Sequence, residues 1–275
     1  HLDTQGNVVN ADSPVSVRRG HQTPRPLVDL LSVMPPTVYF LNGQIVSGAT
    51  LYQPPTVQRD LTRWTPAFLD WSATNIEKET DRSAKAGTSI HQTLKTYLTT
   101  RTTTARRRWV IENDGSGEIA DLIVLEVRGA YEVSIELWHA KPASGANTSV
   151  RVTDMEVVVA QAIKSRRWLT ERELWQEMAD RYSGLSSPAL KLIDGSESLL
   201  RALLGLVPGH PGWSLTNRPF QLRGTVVIAQ PGLSWNQLKA GVEKNQLSAI
   251  QIRDLLAVFD DSLGALGESA LVCSQ

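Results

Sequence analysis

The most constraining feature of the chain is a pair of adjacent strand patterns between residues 119 and 141. Residues 119–127 are almost continuously apolar, as in a strand that is covered on both faces. Residues 131–141 instead alternate, and the apolar face of this second strand ends in His139 and Lys141. Joined as an antiparallel hairpin, the second strand ends where the first begins, so Asp121 is expected beside His139 and Lys141.

Further helical and strand patterns surround this hairpin and predict an α/β fold with a mixed central sheet flanked by helices. The pattern predicts a helix over 88–100, strands over 108–112, 119–127 and 131–141, a helix opening at the capping box Thr153-x-x-Glu156, helices over 170–182 and 187–206, a strand over 220–229, a helix over 248–266 and a strand over 270–273.

The remaining segments predict the domain organisation. Residues 1–35 are polar and rich in turn formers, which indicates an arm or linker. Residues 36–86 begin with a β-hairpin around Asn42-Gly43 and continue as a segment that wraps the core. Residues 87–275 are expected to form the α/β core, with a helical insertion at about 170–206.

Composition limits the compartment and the partners. Lys plus Arg and Asp plus Glu both number 28, so net charge gives no argument for nucleic acid and any such argument needs local patches. The single cysteine, Cys273, excludes an intrachain disulfide and favours a cytoplasmic location. The N-terminus lacks a signal-peptide pattern, and no apolar run reaches the length of a membrane span, so no membrane association is expected.

Two interpretations of the converging residues are open at this point. A carboxylate, an imidazole and an amine at one sheet edge could form the centre of a metal-dependent phosphodiesterase. Asp121 and Lys141 could equally form a structural ion pair at the strand ends, with His139 at the rim, since such pairs are common and contribute little energy.

The arrangement resembles the PD-(D/E)XK nuclease superfamily, in which an Asp on the second core strand precedes an (Asp/Glu)-x-Lys ending on the third. The resemblance implies a restriction-endonuclease-like fold in which Asp121 binds Mg²⁺ and Lys141 orients the attacking water. His139 stands at the position that is usually acidic, and an imidazole ligand favours Mn²⁺ over Mg²⁺. Glu118, at the mouth of the same strand, could supply the missing oxygen ligand or could be a solvated turn residue.

Three neighbouring groups complete the predicted site. Gln161, on the helix after the third strand, resembles a glutamine that some superfamily members carry there, and an ordinary helix-face amide is the alternative. Two basic clusters are candidate phosphate contacts that together would form a cationic groove, and either could instead be a solvated face. They comprise Arg106, Arg107 and Arg108 before the first strand, and Lys164, Arg166 and Arg167 at the end of the Gln161 helix.

A wider resemblance covers roughly residues 36–275, to the nuclease-like C-terminal region of bacterial superfamily-two (DEAD/DEAH-type) helicases linked to phage defence. It rests on Pro36-Thr37-Val38-Tyr39-Phe40, Asn42-Gly43, Asp70-Trp71-Ser72, Asp114-Gly115-Ser116-Gly117-Glu118-Ile119-Ala120-Asp121, His139-Ala140-Lys141, Val227-Ile228-Ala229-Gln230-Pro231-Gly232 and Val272-Cys273-Ser274. The sequence contains no phosphate-loop motif. The resemblance therefore implies a helicase or ATPase module elsewhere in a longer protein or on a partner subunit.

The sequence thus predicts a metal-dependent nuclease that hydrolyses DNA, or alternatively RNA, with Mg²⁺ or Mn²⁺. Asp121, Glu118 and His139 are the predicted metal ligands, and Lys141 and Gln161 complete the predicted catalytic set. Two alternatives stay open, namely a catalytically degenerate nuclease fold that binds nucleic acid or a helicase, and a purely structural interaction domain.

Overall fold

The structure is a computed structural model that describes residues 61–128, 132–170, 172–209 and 221–275, together with short stretches between residues 16 and 52. The chain divides into two compact units, residues 1–58 and 59–275. The predicted boundary between residues 86 and 87 falls inside the second unit. Among the helices described, none combines the length and the apolar character that a bilayer span requires.

The first unit contains two small antiparallel sheets. A two-stranded sheet pairs β1 (Ser16–Val17) with β2 (Arg25–Pro26), and a three-stranded sheet has the order β3 (Thr37–Tyr39), β4 (Ile45–Ser47), β5 (Thr50–Tyr52). The pairing of β3 with β4 confirms the predicted strands of the N-terminal hairpin. The Asn42-Gly43 turn between them lies outside the described residues.

The second unit is an α/β structure. Its strands are β6 (Ala67–Phe68), β7 (Arg107–Glu112), β8 (Leu122–Val127), β9 (Glu132–Ala140), β10 (Lys191–Asp194), β11 (Gln221–Ser234) and β12 (Glu268–Ser274). Its α-helices are α1 (Ile90–Thr100), α2 (Val152–Ser165), α3 (Arg172–Tyr182), α4 (Glu197–Leu203), α5 (Trp235–Glu243) and α6 (Leu247–Leu263). Short 3₁₀ turns cover Leu61–Arg63, Arg166–Thr170 and Gly264–Leu266.

These strands form one mixed seven-stranded sheet in the order β10-β7-β8-β9-β11-β12-β6. From β10 through β7 and β8 to β9, each strand pairs with the next in the antiparallel sense. Strand β11 instead runs parallel to both β9 and β12. The predicted α/β fold with a mixed central sheet and flanking helices is therefore confirmed. The predicted central hairpin is also confirmed, with Leu122 opposite Trp138 in its register.

Two apolar cores cover the faces of the sheet. One face packs against α2, α3 and α6, and the other packs against α1 and the segment around Trp71 and Ile76. The almost continuous burial of β8 follows from this double cover. Each fully buried Leu or Ile side chain in these cores stabilises the fold by about 1.5–3 kcal/mol.

Helix α1 positions one wall of the site described below. It begins after Ser89, whose Oγ accepts a hydrogen bond of 3.1 Å from the backbone N–H of Gln92 and so caps the helix. Ile90, Leu94 and Leu98 are fully buried at helical spacing. His91, on the same helix, is also buried, with only 1% of its side chain exposed.

Other local predictions are corrected. Helix α2 begins at Val152 after Arg151, without the side-chain bond that a capping box would make at Thr153. The single helix predicted over 187–206 is replaced by strand β10 and helix α4. Gly195 separates these two elements at φ +107°, a conformation that glycine adopts without strain. Strand β10 pairs with the free edge of β7, a long-range interaction that local periodicity does not contain.

Candidate metal centre

Asp121 lies at the entrance of β8, where the sheet register brings it against the end of β9. Its side chain is 1% exposed, and Oδ2 accepts a hydrogen bond of 2.8 Å from the backbone N–H of Ala140. The pairing of Leu122 with Trp138 one step further along the hairpin fixes this position. The predicted convergence of Asp121 with the end of β9 is therefore found in the structure.

Two buried histidines flank the Asp121 carboxyl group. Nε2 of His91, on α1, lies 3.9 Å from Oδ1, and Nδ1 of His139, on β9, lies 4.0 Å from Oδ2. Burial lowers the pKa of His91, and it lowers the pKa of His139 to about 3. Both imidazoles are therefore neutral at pH 7, the form in which histidine binds metals.

The hydrogen bonds of Ser165 determine the tautomer that we assign to His139. Ser165 Oγ donates its single proton to the carbonyl oxygen of Ile119 at 2.8 Å. The contact of 2.7 Å between Ser165 Oγ and His139 Nε2 must then use a proton from the imidazole. His139 Nδ1 consequently carries a lone pair, faces Asp121 and has no hydrogen-bond partner.

The protonation of Asp121 is unusual. Burial raises its pKa to about 7, because the ionised carboxylate loses hydration. The charge of Lys141 and the N–H of Ala140 act in the opposite direction and moderate the rise. A positive charge brought close to Asp121 would restore the ionised form near neutral pH.

Glu79 completes a group of possible metal ligands. It precedes α1, and its backbone carbonyl accepts a bond of 3.0 Å from the N–H of His91. Ligand atoms of Glu79, His91 and Asp121 all lie within 4.8 Å of one another, a spacing that could hold a metal ion. Two carboxylates and a neutral imidazole form a donor set that suits a divalent cation.

Unsatisfied polar atoms accumulate at this point of the molecule. The buried side-chain atoms without a hydrogen-bond partner include His91 Nδ1 and Nε2, Asp121 Oδ1, His139 Nδ1 and Gln161 Oε1. Each such atom costs about 1–3 kcal/mol when it stays unpaired. Of these atoms, His91 Nε2 and His139 Nδ1 each lie about 4 Å from an oxygen of Asp121, and buried donors of this kind fit a cation at Glu79, His91 and Asp121.

Lys141 follows the end of β9 and lies beside this group. Its Nζ forms an ion pair with Glu79 Oε1, and its side chain is 18% exposed. Burial would lower the pKa of Lys141, but the charges of Asp121 and Glu79 raise it above its ordinary value. Lys141 is therefore a fixed positive charge at the edge of the site, paired with Glu79.

The other predicted ligands occupy the α2 side of the hairpin. Glu118 Oε2 accepts a bond of 3.1 Å from the N–H of Gly115, and Oε1 accepts one of 3.5 Å from Gln161 Nε2. Burial raises the pKa of Glu118. The structure thus brings Glu118 and Gln161 together, but Glu118 and His139 lie outside the 4.8 Å group of metal ligands.

Sequence reasoning gave His91 no role, although one signal could have identified it. His91 precedes Leu94 and Leu98 by three and seven positions, the spacing of a single helix face, and both leucines are buried. A histidine on the buried face of an amphipathic helix needs a polar partner, and the Asp121 carboxyl group lies 3.9 Å away, too far for a direct hydrogen bond. Glu79 precedes this helix, and no pattern in that segment of the sequence places it at the site.

A cavity of about 290 Å³ lies on the α2 side of the site. Its lining residues are Gly117, Glu118, His139, Gln161, Lys164, Ser165, Arg167 and Trp168. Lys164 and Arg167 are exposed, and the Arg167 guanidinium lies 4.3 Å from the centre of the Trp168 ring. Two predicted phosphate contacts thus border a cavity that reaches His139, while the exposed Arg166 is absent from its lining.

The second predicted basic cluster lies elsewhere. Arg107 pairs with Val127 in the register of β7 and β8, whereas Glu112 pairs with Leu122 at the Asp121 end. The length of these strands places Arg107 about 17 Å from that end. Arg108 also bonds the Thr99 carbonyl oxygen at 3.0 Å. The predicted groove formed by both clusters is wrong, because Arg106, Arg107 and Arg108 lie at the opposite end of the sheet.

Comparison with known proteins adds no relative. No protein-family model matches the chain, and neither the curated proteins nor the solved structures contain a match. The resemblances to PD-(D/E)XK nucleases and to helicase-associated nuclease regions therefore stay predictions from the sequence.

Proposed function

We propose that this protein is a metal-dependent nuclease with a restriction-endonuclease-like fold that hydrolyses phosphodiester bonds in DNA. The observation that carries the proposal is the group of ligand atoms from Glu79, His91 and Asp121, several of them buried and unpartnered, with Lys141 at its edge. The Asp121 carboxyl group is 1% exposed, and an ionised carboxylate buried in this way is costly unless a cation or hydrogen-bond donors compensate its charge.

The side chains of the centre would have two separate roles in hydrolysis. Glu79, His91 and Asp121 would hold a divalent cation, which offsets charge on the scissile phosphate and acidifies bound water. Lys141 is held by Glu79 and would orient the attacking water or stabilise the negative charge that develops on the phosphate. The oxygen of water would then form a bond to phosphorus and lose one proton to the solvent, while the bond to the leaving oxygen would break and that oxygen would take up a proton.

The donor set favours some cations over others. Mg²⁺ prefers an octahedral shell of oxygen ligands, whereas an imidazole suits Mn²⁺ and similar transition-metal ions. His91 contributes such an imidazole, neutral at pH 7 because burial lowers its pKa. We therefore propose Mn²⁺ as the better cofactor and Mg²⁺ as the weaker one.

The substrate would approach from the α2 side. Lys164 and Arg167 stand at the cavity that reaches His139, and each could contact a phosphate of the DNA backbone. This arrangement supplies a local cationic patch in a chain whose net charge is zero. DNA is the proposed substrate, and RNA is the alternative to be compared in the same assay.

A second candidate function is a degenerate nuclease fold that binds nucleic acid without cutting it. The observation in its favour is the closure of the site, in which Asp121 is 1% exposed and the charge of Lys141 is already paired with Glu79. A binding module of this kind would use the cationic patch and leave the metal centre as a remnant.

Cleavage assays separate the two candidates. The purified chain is incubated with plasmid DNA, single-stranded DNA and RNA in Mn²⁺, Mg²⁺ or a chelator. A nuclease cuts in Mn²⁺, stops in chelator and loses its activity in Asp121→Asn. Asp154→Asn is the matched control, because Asp154 is also buried but contacts Ser144 and Arg151. Intact DNA that is nevertheless bound would overturn the enzymatic proposal and support the binding module.

A helicase or ATPase partner rests on the sequence resemblance alone. Stimulation of cleavage when a superfamily-two helicase is supplied with ATP would support that association. Cleavage that is unchanged by the helicase would argue against it.

A further inference from the structure

Arg181, near the end of α3, is a buried cation far along the chain from the metal centre. Its side chain is 4% exposed, yet its guanidinium reaches the turn that connects β7 to Asp121. It donates to Asn113 Oδ1 at 2.9 Å and to the carbonyl oxygen of Gly117 at 2.8 Å, while Nε donates to Glu177 Oε1 at 2.6 Å. A buried charge with these three partners needs a structural or functional reason.

The turn itself is organised around Asn113, which is fully buried. Asn113 Oδ1 accepts a bond of 2.8 Å from the N–H of Ile119, and Nδ2 donates to the carbonyl oxygen of Pro188 at 2.8 Å. Its backbone N–H donates to the carbonyl oxygen of Asp121 at 3.1 Å. One side chain therefore closes the turn and joins it to the segment that follows α3.

The turn passes through Gly117, whose carbonyl oxygen accepts one of the bonds from Arg181. Gly117 has φ +81°, a conformation that most residues avoid. The turn carries Glu118 and leads directly into Asp121, so a change in its path would move both carboxylates. The guanidinium bonds the turn at two points, Asn113 and Gly117. An ammonium group carries all its protons on one nitrogen atom, so it could not bond both points in the same geometry.

We propose that Arg181 is a positioning residue of the metal centre. By fixing the turn over residues 113–121, it sets the positions of Asp121 and Glu118, and α3 becomes part of the site without contacting it. The part of this inference that concerns cation binding rests on the proposed function. The part that concerns the turn rests on the hydrogen bonds of Arg181 alone.

Arg181→Lys tests the proposal, because lysine keeps the charge but loses the forked geometry. Binding of Mn²⁺ is titrated at a temperature where every variant is folded, and hydrogen exchange is measured for the amides of residues 113–121. We expect Mn²⁺ affinity to fall about 10- to 100-fold, the usual cost of losing an outer-shell partner. The amide of Ile119 should exchange faster, while β11 and β12 keep their protection. Cleavage should lose kcat with little change in KM.

Arg253→Lys is the matched control, since Arg253 is a partly buried arginine on α6 whose ion pair with Asp254 does not involve the turn. It should leave Mn²⁺ affinity and exchange at wild-type values. If Arg181→Lys does not fold, Glu177→Gln replaces it, because this change removes the negative charge from one anchor of Arg181 and weakens that bond without touching the turn. A smaller effect in the same direction is then expected.

The outcomes separate this proposal from the proposed function. A folded Arg181→Lys or Glu177→Gln variant with wild-type exchange over residues 113–121 and wild-type Mn²⁺ affinity would overturn the positioning role. A uniform loss of protection across the sheet would also overturn it, because Arg181 would then serve global stability. If the wild-type chain binds no cation, the proposed function fails, and the exchange data still decide whether Arg181 holds the turn.

Discussion

Nε2 of His91 lies 3.9 Å from Oδ1 of Asp121, and both side chains are 1% exposed. The two residues come from helix α1 and from the entrance of β8, so packing of the helix on the sheet creates the contact. Neither atom has a hydrogen-bond partner at that distance. The gap between them, with Glu79 nearby, is the place where we expect the cation.

The pH dependence of stability should reveal the raised pKa of Asp121. In the folded, metal-free protein this pKa is about 7, against an ordinary value of 3.8 for an aspartate side chain, so the folded state holds an extra proton between about pH 4 and pH 7. Stability from Asp121 is therefore present below pH 4 and is lost as the pH rises through 7. Asp121→Asn removes this loss of unfolding free energy, which is on the order of 4 kcal/mol between pH 4 and pH 7.

Chemical denaturation in chelator between pH 4 and pH 8 measures this difference. His139 acts in the opposite sense in both proteins, because its pKa of about 3 makes the folded state lose stability as the pH falls below 6.5. The comparison of the variant with wild type cancels that contribution. A difference in unfolding free energy that does not change with pH would show that Asp121 has an ordinary pKa.

His91→Glu should change the choice of cation. An oxygen ligand in place of the imidazole suits Mg²⁺, so the ratio of Mg²⁺-supported to Mn²⁺-supported cleavage should rise relative to wild type. Parallel titrations of both cations, followed by cleavage rates, measure this ratio. A ratio equal to that of wild type would mean that His91 does not contact the cation.

His139→Glu provides the contrast to that variant. His139 stands at the position that is acidic in the nucleases the sequence resembles, so a glutamate there would match their pattern. In the structure, the new carboxylate would lose the bond to Ser165 and would lie buried beside Asp121. We now expect a loss of stability on the order of 3 kcal/mol without a gain in Mg²⁺ use. Thermal unfolding and the same pair of titrations test this expectation.

Lys141→Met should abolish cleavage and leave the cation bound. The methionine keeps the length of the side chain but removes the charge that would act on the water or the phosphate, and we expect a loss of about 10²- to 10⁴-fold in kcat. Lys95→Met is the control, because Lys95 is a similarly covered lysine paired with Glu112. Single-turnover rates with saturating Mn²⁺ decide the outcome, and an active Lys141→Met would remove Lys141 from the mechanism.

The two basic clusters should differ in their effect on DNA binding. Lys164 and Arg167 border the cavity, so replacing both with alanine should lower affinity and reduce the slope of log K against log salt by about 2. Arg106 and Arg107 lie at the far end of the sheet, and the same replacement there should change neither quantity. Fluorescence anisotropy over a salt series measures both. Equal slopes for the two double variants would contradict the proposed approach from the α2 side.

Much of the core fold followed from local patterns. Strand alternation in β9 and continuous apolarity in β8 predicted the hairpin, because the period of side-chain direction in a strand is set by the backbone alone. Edge elements were harder to predict. Local periodicity predicts helix where strand β10 forms, since the pairing of β10 with β7 depends on a partner distant in sequence. Helix α5 was not predicted.

The sequence likewise predicts only part of the candidate site. The sequence by itself determined that Asp121 meets the end of β9, since an antiparallel hairpin with a short turn permits no other placement. Only the tertiary structure decided that His91 and Glu79 join Asp121, because that contact requires α1 to pack on one face of the sheet. The tertiary structure also places the two basic clusters at opposite ends of the sheet. Register is a local property of two strands, whereas the approach of a helix to a sheet depends on how the whole apolar core is buried.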